Sequence, residues 1–165
     1  MDRKKILNNL QIKKKIKRIA LQIIEANMNE RELVLAGIEK NGYIIAKKIS
    51  EKVKEHSEME IKLCKINIDK KSPRNDISIT LDLNNFQNNS IVIIDDVLNS
   101  GSTLMYAVKY FLDTDVKKIK TAVLIDRNHK KFPIKVDFKG LSLSTSIQNH
   151  VEVVLTESKL EGYLI

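Results

Sequence analysis

With a single cysteine, Cys64, in 165 residues, the chain can close no disulfide within itself, and no cluster resembling a zinc ligand set accompanies that thiol. No apolar run approaches the roughly 20 residues that cross a bilayer. The N-terminal stretch MDRKKILNNLQIKKK lacks the apolar segment of a secretory signal, so a reducing, cytoplasmic setting is expected. Internal repeats, low-complexity tracts and linker-like segments are absent too, and the length suits one domain over residues 1–165. Acidic residues are the minority, 21 against 29 basic, which leaves a net charge of +8 carried mainly by lysine. That excess suits an anionic partner; equally, a lysine- and asparagine-rich chain can reflect an AT-rich genome, its lysines serving only solubility. At 42% hydrophobic and 30% charged, the composition is globular rather than disordered.

What is present is an alternation of helical and strand-like patterns. Ile12, Ile16, Ile19, Ile23 and Ile24 recur at helical spacing and predict an amphipathic helix over Leu10–Met28 with its lysines outward. Leu33–Ile38 reads as a buried strand, Tyr43–Val53 as a helix following Gly42, and Ile61–Ile68 as a second strand. Asp69–Asp76, DKKSPRND, has the composition of a mobile loop. Ile77–Leu83 alternates with period two and predicts a half-exposed strand, followed by a polar turn, LNNFQNNS. A helix over Thr103–Leu112 and strands at Thr121–Ile125, Val136–Phe138 and Val151–Leu155 complete the pattern. The sum is an α/β fold, a twisted, mostly parallel sheet flanked by helices on both faces.

Ile91–Leu104, IVIIDDVLNSGSTL, carries the chemistry. Four apolar β-formers suit a strand covered on both faces, and ligands of parallel sheets gather at the carboxyl ends of such strands. Asp95 and Asp96 stand at that end, where carboxylates accept hydrogen bonds from ribose hydroxyls or hold hydrated Mg2+. Gly101 lets the main chain approach an anion. Ser100, Ser102 and Thr103 add hydroxyls beside the free N–H groups of the next helix. One helix terminus supplies only about 0.3–1 kcal/mol toward an anion, so several donors must act together. A plain capped helix after a core strand is the other reading of these residues; no Gly-Lys-Ser/Thr follows, which sets the turn apart from a Walker loop.

Four apolar residues, two acids, two apolar residues, a short turn and Gly-x-Thr resemble the phosphoribosyl pyrophosphate (PRPP) signature of type I phosphoribosyltransferases. The resemblance extends to the pyrimidine operon attenuation regulators, which join RNA binding to uracil phosphoribosyltransferase activity. It is carried also by Ile16–Asn27, Leu33–Val53 and Ala122–Ser146, the last with Asp-Arg-x-His, Pro-Ile and Asp-aromatic-x-Gly stretches. It implies that Asp95 and Asp96 are catalytic and face the ribose hydroxyls, that Asn99, Ser100, Gly101, Ser102 and Thr103 wrap the 5'-phosphate, and that Lys40, Asn41 and Gly42 take the pyrophosphate. Phe138 would stack on the nucleobase while the main chain of Lys139 hydrogen bonds to it. Mg2+ would be held mainly by PRPP, with Asp95 reaching it through water.

Two departures from that pattern bear on turnover. Asn41 stands where the family carries a basic residue before the glycine; a hydrogen bond to a charged group is worth roughly 1.5–3 kcal/mol, so the missing cation weakens pyrophosphate binding unless Lys40 compensates. The Leu-Tyr-Arg-Asp-Asp stretch is replaced by a shorter DKKSPRND, whose Lys70, Lys71 and Arg74 are either leaving-group contacts or an ordinary solvated turn. RNA contacts, by the resemblance, would involve Lys14 and Arg18 together with His129 and Lys130. The expected activity is transfer of the phosphoribosyl group to a base, uracil by resemblance. A nucleotide-sensing RNA regulator without efficient chemistry and a purine phosphoribosyltransferase are the alternatives. A homo-oligomer, a dimer or larger, is expected.

Overall fold

The computed structural model describes residues 3–144 and 149–165; Met1 and Asp2 of the N-terminal stretch, and Thr145 and Ser146 at the end of the third resemblance block, lie outside them. The described chain runs β1 (Lys4–Leu7), α1 (Asn9–Ala26), β2 (Glu32–Ile38), α2 (Asn41–His56), β3 (Glu60–Asn67), β4 (Ser78–Ile79), a 3-10 turn (Leu83–Phe86), β5 (Ser90–Leu98), α3 (Ser102–Leu112), β6 (Lys118–Asp126), β7 (Phe138–Ser142), β8 (Val151–Leu155) and β9 (Leu160–Leu164).

Local chemistry sets the start of α1. Asn8 Oδ1 accepts from the Gln11 amide while Gln11 Oε1 accepts from the Asn8 amide, both at 2.9 Å, so two otherwise orphaned donors are satisfied reciprocally. Beyond that box, Ile12, Ile16, Ile19 and Ile23 form the buried stripe that the periodicity predicts.

Six strands form one sheet in the order β4-β3-β2-β5-β6-β7, parallel except for β4. Alternation along β2 and β5 explains their unbroken apolar runs. Leu33, Leu35, Val92 and Ile94 enter the core shared with α1 and α2, while Val34, Ala36, Ile91 and Ile93 enter the opposite core with Leu104, Ala107 and Phe111 of α3. The expected α/β sheet with helices on both faces is therefore present. Because the connections are parallel crossovers, the ends of β2 and β5 and the starts of α2 and α3 come out at one rim.

The expected strand over Ile77–Leu83 shrinks to Ser78–Ile79, an antiparallel edge on the last residues of β3. Asp82 then turns the chain, its Oδ1 accepting from the Asn84 amide at 2.8 Å, and the stretch read as a polar turn becomes a 3-10 turn that buries Phe86 against Phe111 at a ring separation of 4.9 Å. One aromatic anchor outweighs the alternation of a weak edge strand. The strand expected at Val136–Phe138 begins instead at Phe138, because Asp137 is drawn aside: its amide donates to the Thr121 carbonyl and its carboxylate accepts from the Thr121 amide, both at 3.0 Å.

A second sheet, β1-β9-β8, is antiparallel throughout, and neither its outer strand β1 nor its central strand β9 is announced by the periodicity of the sequence. Among the described residues, no helix is long and apolar enough to cross a membrane.

Candidate functional site

At the rim where β5 ends, a cavity of about 350 Å3 is enclosed by Asp95 and Asp96, by the turn 99–103, by Asn41 and Lys70, and by His150–Val153 on β8 and just before it. The structure thus gathers the acidic pair and the hydroxyl-rich turn around one space. Gly101, at φ 87, takes a left-handed conformation that suits glycine, and a Cβ there would lie 2.6 Å from Ile134 Cγ2. Met105 makes the first backbone bond of α3 to the Gly101 carbonyl, the N-cap Gly101 has no side chain to cap the helix, and the Thr103 and Leu104 amides are left for an anion. Ser100 Oγ receives the Ser102 amide at 3.3 Å and lies 3.2 Å from Ser102 Oγ, which folds both hydroxyls into the turn.

The β6–β7 connection braces this turn from behind. The amides of Lys131 and Phe132 both donate to the Ser100 carbonyl, at 2.8 and 3.1 Å, and the buried Arg127 guanidinium donates to Asn99 Oδ1 at 2.8 Å and to the Asn149 carbonyl. Asn99 therefore borders the cavity with its side-chain oxygen already engaged.

Lys40 and Asn41 open α2, which, like α3, has no side-chain cap. The Glu39–Lys40 peptide bond is cis. Gly42 packs directly beneath β5, where a Cβ would meet the Ile94 carbonyl oxygen at 2.5 Å, so only glycine allows this loop to reach the acidic pair. Glu39, Lys40, Asn41, Ile68, Lys70 and Asp96 surround a second cavity of about 350 Å3 that adjoins the first. Asn41 does more than the sequence suggested: Nδ2 donates to Asp96 Oδ2 at 2.8 Å and to the Val153 carbonyl at 2.9 Å, which ties the acidic pair to the small sheet.

The electrostatics centre on Lys70. Its ammonium lies 2.7 Å from Asp95 Oδ1 and 3.1 Å from Asp96 Oδ1. Burial, reinforced by the Asp96 charge, pushes the Asp95 carboxyl up to about 8. Burial also acts to raise Asp96, but the Lys70 charge and the hydrogen bonds from its neighbours, Asn41 among them, hold it below the ordinary carboxylate range. Lys70 itself is lowered by burial and raised more by the two carboxylates, so its ammonium stays charged. The sequence offers Lys70, with Lys71 and Arg74, as a leaving-group contact or as part of a solvated turn; its bridge across the acidic pair is in neither reading.

Phe138 and Lys139 are not drawn into this cavity. Phe138 is buried in the core on the α1 side, Lys139 Nζ reaches Asp126 at 3.1 Å, and the carbonyls of Lys139 and Gly140 accept from Arg18 at 2.8 and 2.7 Å. Arg18 thus clamps the edge strand β7. Lys14 is exposed on α1, and His129 and Lys130 help to line a separate cationic hollow of about 480 Å3 with Arg127 and Lys131, backing onto Asn99 and Ser100. The wall that faces the acidic pair, His150–Val153, was missed as a site; the alternation of Val151, Val153 and Leu155 announces a strand but not what it covers.

A family model for the phosphoribosyl transferase domain matches residues 2–158. The bifunctional protein PyrR of Streptococcus thermophilus is 33% identical over 162 residues, covering 95% of this chain and 92% of the relative. The protein of the same name from Streptococcus agalactiae is 33% identical over 168 residues, covering 99% and 95%. Among solved structures, a hypoxanthine-guanine phosphoribosyltransferase from Bacillus anthracis superposes with a TM-score of 0.69 at 20% identity, over 87% of this chain and 84% of that one, a likeness of fold.

Proposed function

The chain belongs to the phosphoribosyltransferase family, and on that premise we propose that it moves the 5-phosphoribosyl group of PRPP to a nucleobase, uracil, releasing the nucleoside monophosphate and pyrophosphate. The observation that carries this reading is the convergence of Asp95, Asp96 and the 99–103 turn on one cavity beside the uncapped starts of α2 and α3.

The chemistry asks for alignment rather than a covalent nucleophile. Displacement at the anomeric carbon develops oxocarbenium character, so catalysis comes from holding base, ribose and leaving group in line and from neutralising the departing charge. Asp95 and Asp96 accept the ribose hydroxyls, with Asp96, the more readily ionised of the two, easing charge at the reacting carbon. The amides and hydroxyls of Ser102 and Thr103 hold the 5'-phosphate. Two carboxylates on one wall, and no group of three or more metal-binding side chains among the described residues, fit a magnesium ion that takes most of its oxygens from the diphosphate. Asp95 would reach that ion through water, and the metal when bound would neutralise pyrophosphate charge. Phe138 and Lys139 are base contacts by the resemblance alone, since neither lines the cavity of the acidic pair.

Incubation with PRPP, Mg2+ and uracil, then with hypoxanthine, guanine and xanthine, tests the reading by pyrophosphate release. Turnover with uracil is expected; turnover with a purine alone replaces uracil with that base, and binding of nucleotides with no turnover on any base refutes the transferase.

The cationic hollow behind the phosphate turn favours a second, RNA-binding activity alongside the first. Lys14, Arg18, His129 and Lys130 are its proposed contacts. Affinity for RNA should fall steeply with salt, and neutralising Lys14 and Lys130 should flatten that slope. A response already flat in the unmodified protein removes this reading.

A further inference from the structure

The bridging oxygens of the acidic pair are saturated before any ligand arrives. Asp95 Oδ1 accepts from Lys70 and from the Asp96 amide; Asp96 Oδ1 accepts from Lys70 and from the Val97 amide. A carboxylate oxygen has about two lone pairs, so a ribose diol reaching for these atoms meets an ammonium already in place. The same lysine borders both cavities, the one that would hold ribose 5-phosphate and the one over Glu39–Asn41. In the second cavity Asn41 brings no charge and has both amide hydrogens committed to Asp96 and Val153, while Glu39 is engaged by Lys65 at 3.2 Å. A diphosphate placed there would meet Lys40 and, a side-chain swing away, Lys70, whose side chain is 40% exposed.

Resting on the reading of the first cavity as a ribose 5-phosphate site, we infer that Lys70 sets the discrimination between PRPP and ribose 5-phosphate. Ribose hydroxyls displace its ammonium from the acidic pair. The anomeric diphosphate of PRPP offers that ammonium a new anionic partner, and ribose 5-phosphate offers none. Lys70 therefore opposes the sugar phosphate and favours the activated substrate, although a lysine beside an anion site would ordinarily be taken to help every anion.

Calorimetric titration of the full chain in Mg2+ without a base, using ribose 5-phosphate and PRPP as probes, tests this with Lys70→Gln and Lys70→Met, the second keeping an apolar stem. Both variants should bind ribose 5-phosphate more tightly by about threefold to tenfold and PRPP more weakly by a similar factor, so that the preference for PRPP drops by about tenfold or more. Equal weakening of both ligands would make Lys70 a general anion contact, and no change in either would make it a solvated lysine; each result overturns the inference while leaving the cavity's assignment intact. Unmodified protein that binds neither probe overturns the assignment of the cavity, and the role of Lys70 with it.

Discussion

Replacing Asp95 with asparagine should make the ligand-free protein more stable while abolishing its transferase activity. The sign follows from where the proton sits. Burial and the Asp96 charge lift Asp95 from 3.8 to about 8, so between those values the folded protein holds a proton that the unfolded chain has released. Stability contributed by this group is complete below the unfolded value and is lost as pH rises through the folded one. At about 1.36 kcal/mol per pH unit for one proton, the ceiling on the loss at pH 7 is about 4 kcal/mol. The Lys70 ammonium is a compensating partner for the carboxylate that the amide cannot match, which leaves an expected gain for Asp95→Asn of about 1–3 kcal/mol at neutral pH. Urea unfolding of both proteins in chelated buffer, from about pH 5 to about pH 8, should show the gap widening as pH rises. A variant that is less stable than the parent at neutral pH, or a difference that does not change with pH, would refute this account of the acidic pair.

Other perturbations reach separate parts of the site. Thr103→Val should weaken binding of uridine monophosphate by about tenfold, with unfolding free energy changed by less than about 1 kcal/mol, because Thr103 lines the cavity proposed to take the phosphate and is not among the buried core residues; calorimetry and denaturation check the two halves. Gly42→Ala forces a methyl against the Ile94 carbonyl oxygen and should destabilise by about 1–3 kcal/mol, seen as a lower thermal midpoint together with weakened PRPP binding. Arg18→Ala removes the clamp on the Lys139 and Gly140 carbonyls and should lower stability by about 1 kcal/mol, whereas Lys14→Ala on the same helix should stay within about 0.5 kcal/mol; equal effects would mean that the clamp adds nothing.

The sequence was most legible where several weak signals coincide. Ile91–Ile94 followed by Asp95, Asp96 and a glycine-containing hydroxyl turn leaves few local conformations open, and the turn and helix start lie where those residues place them, although the strand runs on past the acidic pair to Leu98. Long-range partners were not legible. Nothing in Asn41 itself reveals that its amide bridges Asp96 and Val153, 112 residues further along the chain, and nothing in DKKSPRND singles out Lys70 from Lys71 as the residue that turns inward. Phe86 shows the opposite failure: an aromatic inside a polar stretch, LNNFQNNS, was read by the company it keeps, although a lone aromatic among turn residues is a reasonable sign of an anchor. The strands β1 and β9 were missed because each is short and each is stabilised by the other rather than by its own pattern.

That mutual dependence orders events during synthesis. In the sheet β1-β9-β8 the strand that comes latest of the three in the chain is the central one, and both of its neighbours pair with it rather than with each other. A nascent chain halted before Leu160–Leu164 leaves the ribosome with β1 and β8 unmatched, and the β8 face of the cavity then has no sheet behind it. Substrate can stabilise the protein fully only after translation has passed β9, so a stalled product should be degraded as a protein without a ligand, however complete its acidic pair.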